Sequence, residues 1–170
     1  MIDFRLEQSG DNIAISSIHE AAFGRRDEAV LVEKLCADGD AILSLVAIDS
    51  DDDRVVGHVI FSDLPIKTAN GLVCAAALAP VAVLPDHQSI GVGGGLIMRG
   101  LKDIESLGVE AVIVLGEPGY YQRFGFTHDL VRGLDTSLQS DSLMGLALKD
   151  GALDGVECRP LYAPAFGLDD

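Results

Sequence analysis

Gln88-Ser89-Ile90-Gly91-Val92-Gly93-Gly94-Gly95 stands where a long apolar run ends and a helical pattern begins, and its reading decides the fold. The first backbone N–H groups of a helix lack partners inside it, and the macrodipole puts partial positive charge at that end. A glycine-opened helix can therefore hold an anion such as a phosphate. Each glycine within a helix also costs about 1 kcal/mol relative to alanine, so Gly93, Gly94 and Gly95 require a reason. Two stand side by side: close approach of a ligand to the main chain, or close packing of the helix on its own sheet. Upstream, residues 72–84 (LVCAAALAPVAVL) read as one long strand interrupted by Pro80. Proline cannot donate to a ladder, which predicts that this strand splays from a neighbour there and leaves amides free. Downstream, Leu96, Ile97, Leu101, Ile104 and Leu107 keep helical spacing up to Gly108, and 111–115 (AVIVL) reads as a buried strand. The order is strand, glycine loop, helix, strand.

Two common phosphate loops do not match. A Walker loop ends in Gly-Lys-Ser/Thr, and no lysine follows these glycines. A dinucleotide fingerprint starting at Gly91 and Gly93 would need glycine or alanine where Leu96 stands, and it belongs to the first βα unit of a larger domain.

Gln88-x-x-Gly91-x-Gly93 at a helix start resembles the acyl-CoA pyrophosphate loop of the GNAT superfamily of N-acetyltransferases. The segment Gly116-Glu-Pro-Gly-Tyr120-Tyr121-Gln-Arg-Phe124-Gly125-Phe126 is similar to the Tyr-x-x-x-Gly-Phe segment of the same superfamily, in the right order and spacing. The resemblance spans nearly the whole chain, most strongly 73–126, and its ending is similar to small bacterial members. It implies a GNAT-like α/β (α+β) mixed sheet with a V-shaped splay, and acetyl-CoA as cosubstrate without a metal. It further implies that main-chain groups of Val81, Ala82 and Val83 pair with the pantetheine arm. The amides of Gln88, Ser89, Ile90, Gly91, Val92, Gly93 and Gly94 would take the pyrophosphate. Tyr121, four residues before Gly125, matches the tyrosine that protonates the departing thiolate in many members; Tyr120 is the fallback one position away. Gly116 departs from the asparagine often found there, and the strand before the loop offers no carboxylate as base. Glu20, Asp63, Glu117 or a water chain stay open for that role.

The 170 residues suit one domain, 1–170, with an ample core. A net charge of −15 argues against nucleic acid, and could draw in a cationic acceptor. It also leaves local cations such as Arg99, Lys102 or Arg123, with backbone amides, to attract a polyanionic cofactor. No apolar run is long enough to cross a bilayer, and the N-terminus lacks the pattern of a signal peptide, so a cytoplasmic protein away from membranes is expected. Cys36, Cys74 and Cys158 form no C-x-x-C pair, and His19, His58, His87 and His128 have no ligand spacing; each histidine reads as surface or satisfied core. Asp49, Asp51 and Asp53 mimic a calcium loop, but Arg54 fills its required glycine, which makes the segment a hairpin turn.

The remaining elements are a strand at 2–7, a helix at 12–23 capped by Asp11, and a helix at 27–37 with Leu31 and Leu35 inward. A hairpin of 41–48 and 55–62 follows, and the last strands lie at 126 onward and 143–148. The leading expectation is an N-acetyltransferase acting on a primary amine, small molecule or peptide, by direct attack in a ternary complex. The alternatives are a non-catalytic acyl-CoA-binding or regulatory module and, third, a nucleotide-dependent enzyme. Acceptor identity, acyl chain preference and a homodimer are left open by the sequence.

Overall fold

Alternating apolar and polar residues in the first fifty positions form strands that pair as their burial demands. In the computed structural model, which describes residues 1–168, β1 (Ile2–Leu6) pairs antiparallel with β2 (Ala41–Asp49), Ile2 opposite Asp49 and Leu6 opposite Leu45. Between them run α1 (Asn12–Phe23) and α2 (Asp27–Ala37). β3 (Arg54–Asp63) follows the Asp-rich turn, where Asp53 takes a left-handed φ of 58°. Then come a small hairpin, β4 (Ile66–Thr68) and β5 (Gly71–Val73), and β6 (Ala75–Val83). α3 (Val92–Ser106) leads to β7 (Ala111–Leu115), and after the short helix α4 (Pro118–Tyr121) the chain closes with β8 (Leu143–Ala147). The sheet order is β1-β2-β3-β6-β7-β8, with β1–β2 and β7–β8 antiparallel and β6–β7 parallel, the last pairing needing the crossover that α3 supplies. No helix among the described residues is long and apolar enough to cross a membrane.

Contacts divide the chain into two compact units, Met1–Phe61 with Pro80–Ile104, and Ser62–Ala79 with the chain from Glu105 onward. In the first, α1 and α2 pack on each other. Ile15, Ile18, Leu35, Leu45, Ile60, Phe61, Leu96, Ile97 and Ile104 are fully or almost fully buried. The second has its own core, which includes Leu64, Ile66, Ala75, Ala111, Ile113, Val131, Leu143, Leu153 and Val156.

Several expected boundaries move for local reasons. The run at 72–84 is two strands, because Cys74 leaves the ladder: its N–H donates to Glu110 Oε2 at 3.2 Å and its carbonyl accepts from Glu110 N at 2.7 Å. No strand starts at Phe126; a single bridge at Thr127 opposite Gly145 leads into a 3-10 turn, His128–Val131, which Thr127 caps by accepting from Asp129 N. Asp11 occupies the residue before α1 without capping it, its carboxylate being held by Arg5 at 2.7 and 3.0 Å and by the Gln8 amide at 2.7 Å. Val32 with Leu35 forms the buried face of α2, and Leu31 is only half-buried. Leu107 lies beyond the end of α3 and is exposed.

The helix glycines divide by cause. A methyl group at Gly95 would lie 2.3 Å from Phe4 Cζ, and one at Gly100 2.4 Å from Phe61 Cε2, so both positions let α3 sit directly on aromatic rings of β1 and β3. Across the same seam, a methyl at Gly57 would meet Leu96 Cδ1 at 3.0 Å. Gly100→Ala should therefore cost about 1–3 kcal/mol by overpacking against the fully buried Phe61 ring, outweighing the gain of about 1 kcal/mol in helix propensity. Urea denaturation checks this; a stabilised variant would contradict the packing account.

Candidate active site

The end of β6, the following turn and the start of α3 bring ten of the candidate residues together in one stretch of the first unit. β6 runs on through the buried Pro80 to Val83, but its register with β7 covers only Ala75–Ala77 opposite Ala111–Ile113. On the other side pairing persists to the strand's end, where Leu84 N donates to Val56 O at 2.8 Å. Ala82 is buried, and Val81 and Val83 are half-buried.

After Val83 the chain turns through a 3-10 segment, Pro85–His87. His87 pins it: Nε2 meets Asp49 Oδ2 at 2.9 Å and Nδ1 meets Asp86 Oδ1 at 2.8 Å, and these bonds raise the imidazole above its ordinary pKa. Gln88 folds back, its Nε2 donating to Val83 O at 2.9 Å. Ser89 and Gly91 then adopt left-handed φ values of 65° and 92°, with the exposed Ile90 between them. The first i to i−4 bond of α3 is Gly95 N to Gly91 O at 2.9 Å. The amides of Val92, Gly93 and Gly94 precede that bond and have no acceptor within the helix. Val92 points into the core, while Gly93 and Gly94 are half-buried. Two left-handed residues thus precede three leading amides at the positive end of the α3 dipole. Of the nearby cations, Arg99 is engaged by Asp103 at 2.9 Å.

Tyr121 belongs to the second unit. It is 8% exposed, its ring set edge-on to Tyr120 at 5.0 Å and to Phe126 at 5.9 Å. Burial, with Tyr120 adding to it, pushes its phenol up to about 12, so the hydroxyl keeps its proton throughout the neutral range. Gly116 is explained by this ring: a methyl there would lie 2.4 Å from Tyr121 Cε2. Tyr120 is half-buried and carries the Arg123 guanidinium 4.5 Å above its ring, which occupies that cation. Of the carboxylates considered as a base, Glu20 is ion-paired with Arg26, and Asp63 and Glu117 are exposed.

The residues 3–128 match the family model described as an acetyltransferase (GNAT) domain. The chain belongs to the GNAT acetyltransferase family. It is 35% identical over 123 residues to an uncharacterized N-acetyltransferase of Escherichia coli, YjhQ, covering 72% of this chain and 68% of that one. It is 34% identical over 159 residues to a second from the same species, YhbS, covering 89% and 90%. Among solved structures, E. coli YhbS in complex with CoA superimposes with a TM-score of 0.89 at 30% identity, over 99% of this chain and 93% of that one. A GNAT family acetyltransferase from Brucella melitensis in complex with acetyl-CoA gives 0.80 at 32% identity, over 98% of both. The fold, the family and the enzyme class expected from the two motifs are thus those of an N-acetyltransferase.

What sequence reasoning missed is a pair of buried histidines. His19 and His58 are both 0% exposed, with His19 Nε2 and His58 Nδ1 2.8 Å apart and the rings edge-to-face. They are core residues, yet not both satisfied, because His19 Nδ1 has no partner. The available signal was weak: His19 shares the helical face of Ile15 and Ile18, and His58 interrupts an apolar strand. Burial lowers His58 to about 3, with His19 adding to the effect, and lowers His19 to about 4. In the unfolded chain both would titrate near 6.5. The neutral pair therefore contributes stability fully above about pH 6.5, and that stability drains away as the pH falls toward the folded values. Melting temperatures should decline from about pH 6.5 downward in the native protein and more shallowly in His58→Gln; parallel curves would contradict the assignment.

Proposed function

We propose that the protein transfers an acetyl group from acetyl-CoA to a primary amine by direct attack in a ternary complex. The observation that carries this reading is the turn 88–94, with left-handed Ser89 and Gly91 ahead of the open amides of α3. On this reading those amides hold the CoA diphosphate, and main-chain groups of Val81, Ala82 and Val83 pair with the pantetheine arm as an added strand would. The relatives solved with CoA and with acetyl-CoA support the same cosubstrate.

The chemistry requires a neutral amine at the thioester carbonyl and a proton for the departing thiolate. Tyr121 is proposed as the donor: it lies in the Tyr-x-x-x-Gly-Phe segment, and its raised pKa keeps the proton in place until it is needed. A polarising main-chain donor near Pro80 would stabilise the oxyanion.

Gly91→Val forces a β-branched residue into a φ of 92° and should abolish measurable CoA binding while the protein stays folded. Unchanged calorimetric affinity would overturn the loop assignment. Tyr121→Phe should leave CoA affinity intact and lower kcat and kcat/KM together by roughly 10²-fold. If Tyr120→Phe is impaired and Tyr121→Phe is not, the donor is the neighbouring phenol. Thiol release across a panel of amines separates an enzyme from a module that binds acyl-CoA without turning it over.

A further inference from the structure

Four polar side chains, three from separate elements and one just past a fourth, join in one line inside the first unit. Glu7, just past β1, is held opposite Ser44 of β2 by a bond from its own N–H to Ser44 O at 3.0 Å. The Ser44 hydroxyl donates to Glu7 Oε2. Ser44 Oγ also meets His58 Nε2 at 2.7 Å, and His58 Nδ1 meets His19 Nε2 at 2.8 Å. Other titratable groups facing the line are Asp11, whose charge acts on His58 and is paired with Arg5, and Cys36 of α2, whose thiol is raised by burial and by Glu7.

Hydrogen counting gives this line a direction. A carboxylate only accepts, so the single Ser44 hydrogen goes to Glu7 and Ser44 accepts from His58 Nε2–H. The neutral His58 then has a bare Nδ1, which must accept from His19 Nε2–H. The neutral His19 is left with a bare Nδ1, and that nitrogen is the buried atom without a partner. Every hydrogen bond thus points toward Glu7, and the far end is an orphaned lone pair. Such an atom in a 0% exposed ring calls for a visiting donor. Phe23, 42% exposed, lies parallel to the His19 ring with centroids 6.1 Å apart, and the left-handed Gly24 follows it. For a donor to reach that nitrogen, the Phe23 ring would have to swing aside.

We propose that Glu7, Ser44, His58 and His19 form a proton relay that takes up, at His19 Nδ1, the proton an acceptor ammonium must lose before it attacks the thioester. This rests on the acetyltransfer reading above. The ammonium N–H bond, or that of one intervening water, breaks as His19 Nδ1–H forms. The His19 Nε2 hydrogen moves to His58 Nδ1, the His58 Nε2 hydrogen to Ser44 Oγ, and the Ser44 hydrogen to the Glu7 carboxylate. The result is a neutral amine and a protonated Glu7, with no electron exchanged and no further reactant needed. When product leaves and water enters, the four hydrogens step back and the proton leaves through His19 Nδ1 to that water. His19 is the catalytic group of this transfer, His58, Ser44 and Glu7 act through it, and the acceptor class is a protonated amine.

The test uses the whole protein with acetyl-CoA and, as acceptors, spermidine, kanamycin and a lysine peptide. Ser44→Ala cuts the relay while keeping both rings; it should leave CoA affinity unchanged and lower kcat/KM by about 10²-fold near pH 7. The deficit should shrink as the pH approaches the acceptor's own pKa, about 10 for an alkylamine, because solution then supplies the free base. Ser44→Thr should restore the rate. A deficit equal at every pH, or none, overturns the relay. A native protein that binds CoA and acetylates none of the amines overturns the functional reading instead. Nitrogen-15 NMR of the histidine rings decides the geometry independently of turnover: both should carry hydrogen on Nε2, and a His19 with hydrogen on Nδ1 overturns the proposal.

Discussion

The contact of α3 with the aromatic rings of β1 and β3 is the constraint on which the candidate loop depends. Because Gly95 and Gly100 have no side chain, the helix rests against Phe4 and Phe61, and Leu96 and Ile97 drop into the core of the same unit. That seating fixes where α3 can begin. The turn before it is bound at both ends, by His87 to Asp49 and by Gln88 to Val83, so the chain has little freedom but to enter the helix through Ser89 and Gly91 with positive φ. A row of leading amides is the consequence of packing, and on the proposed reading the anion site is built from what packing leaves unbonded.

Charge makes the same point from another side. A chain of net charge −15 has no general attraction for a polyanion. Arg99 is bound to Asp103 and Arg123 lies on Tyr120, so side-chain cations near the motifs are already engaged. For a polyanionic cofactor, attraction would then fall to fixed dipoles at the helix start, which act at short range. On the proposed acetyltransfer, the net negative charge would favour the approach of a protonated amine, whose proton must then be removed.

Much of the fold was legible where a single rule governs a segment. The glycine loop, the amphipathic α3 and the apolar β7 follow from periodicity and turn chemistry, and the two motifs identify the family. Legibility failed where a distant residue decides. Nothing near Cys74 announces that Glu110, 36 positions on, will take it out of the strand. Asp11 reads as a cap but is captured by Arg5. The Gly116 departure becomes intelligible only with the Tyr121 ring beside it. The histidine line joins positions 7, 44, 58 and 19, a juxtaposition that spacing along a chain does not encode.

The central claim is that the backbone at the start of α3 is the cofactor's anion site. Amide chemical-shift mapping of the nitrogen-15-labelled protein during titration with CoA tests it most directly. The account predicts that the largest perturbations fall on the amides of Ser89, Gly91, Val92, Gly93 and Gly94, and that dephosphorylated pantetheine alone leaves these amides nearly unmoved. Perturbations of equal size with pantetheine, or confined to residues away from this turn, would contradict it.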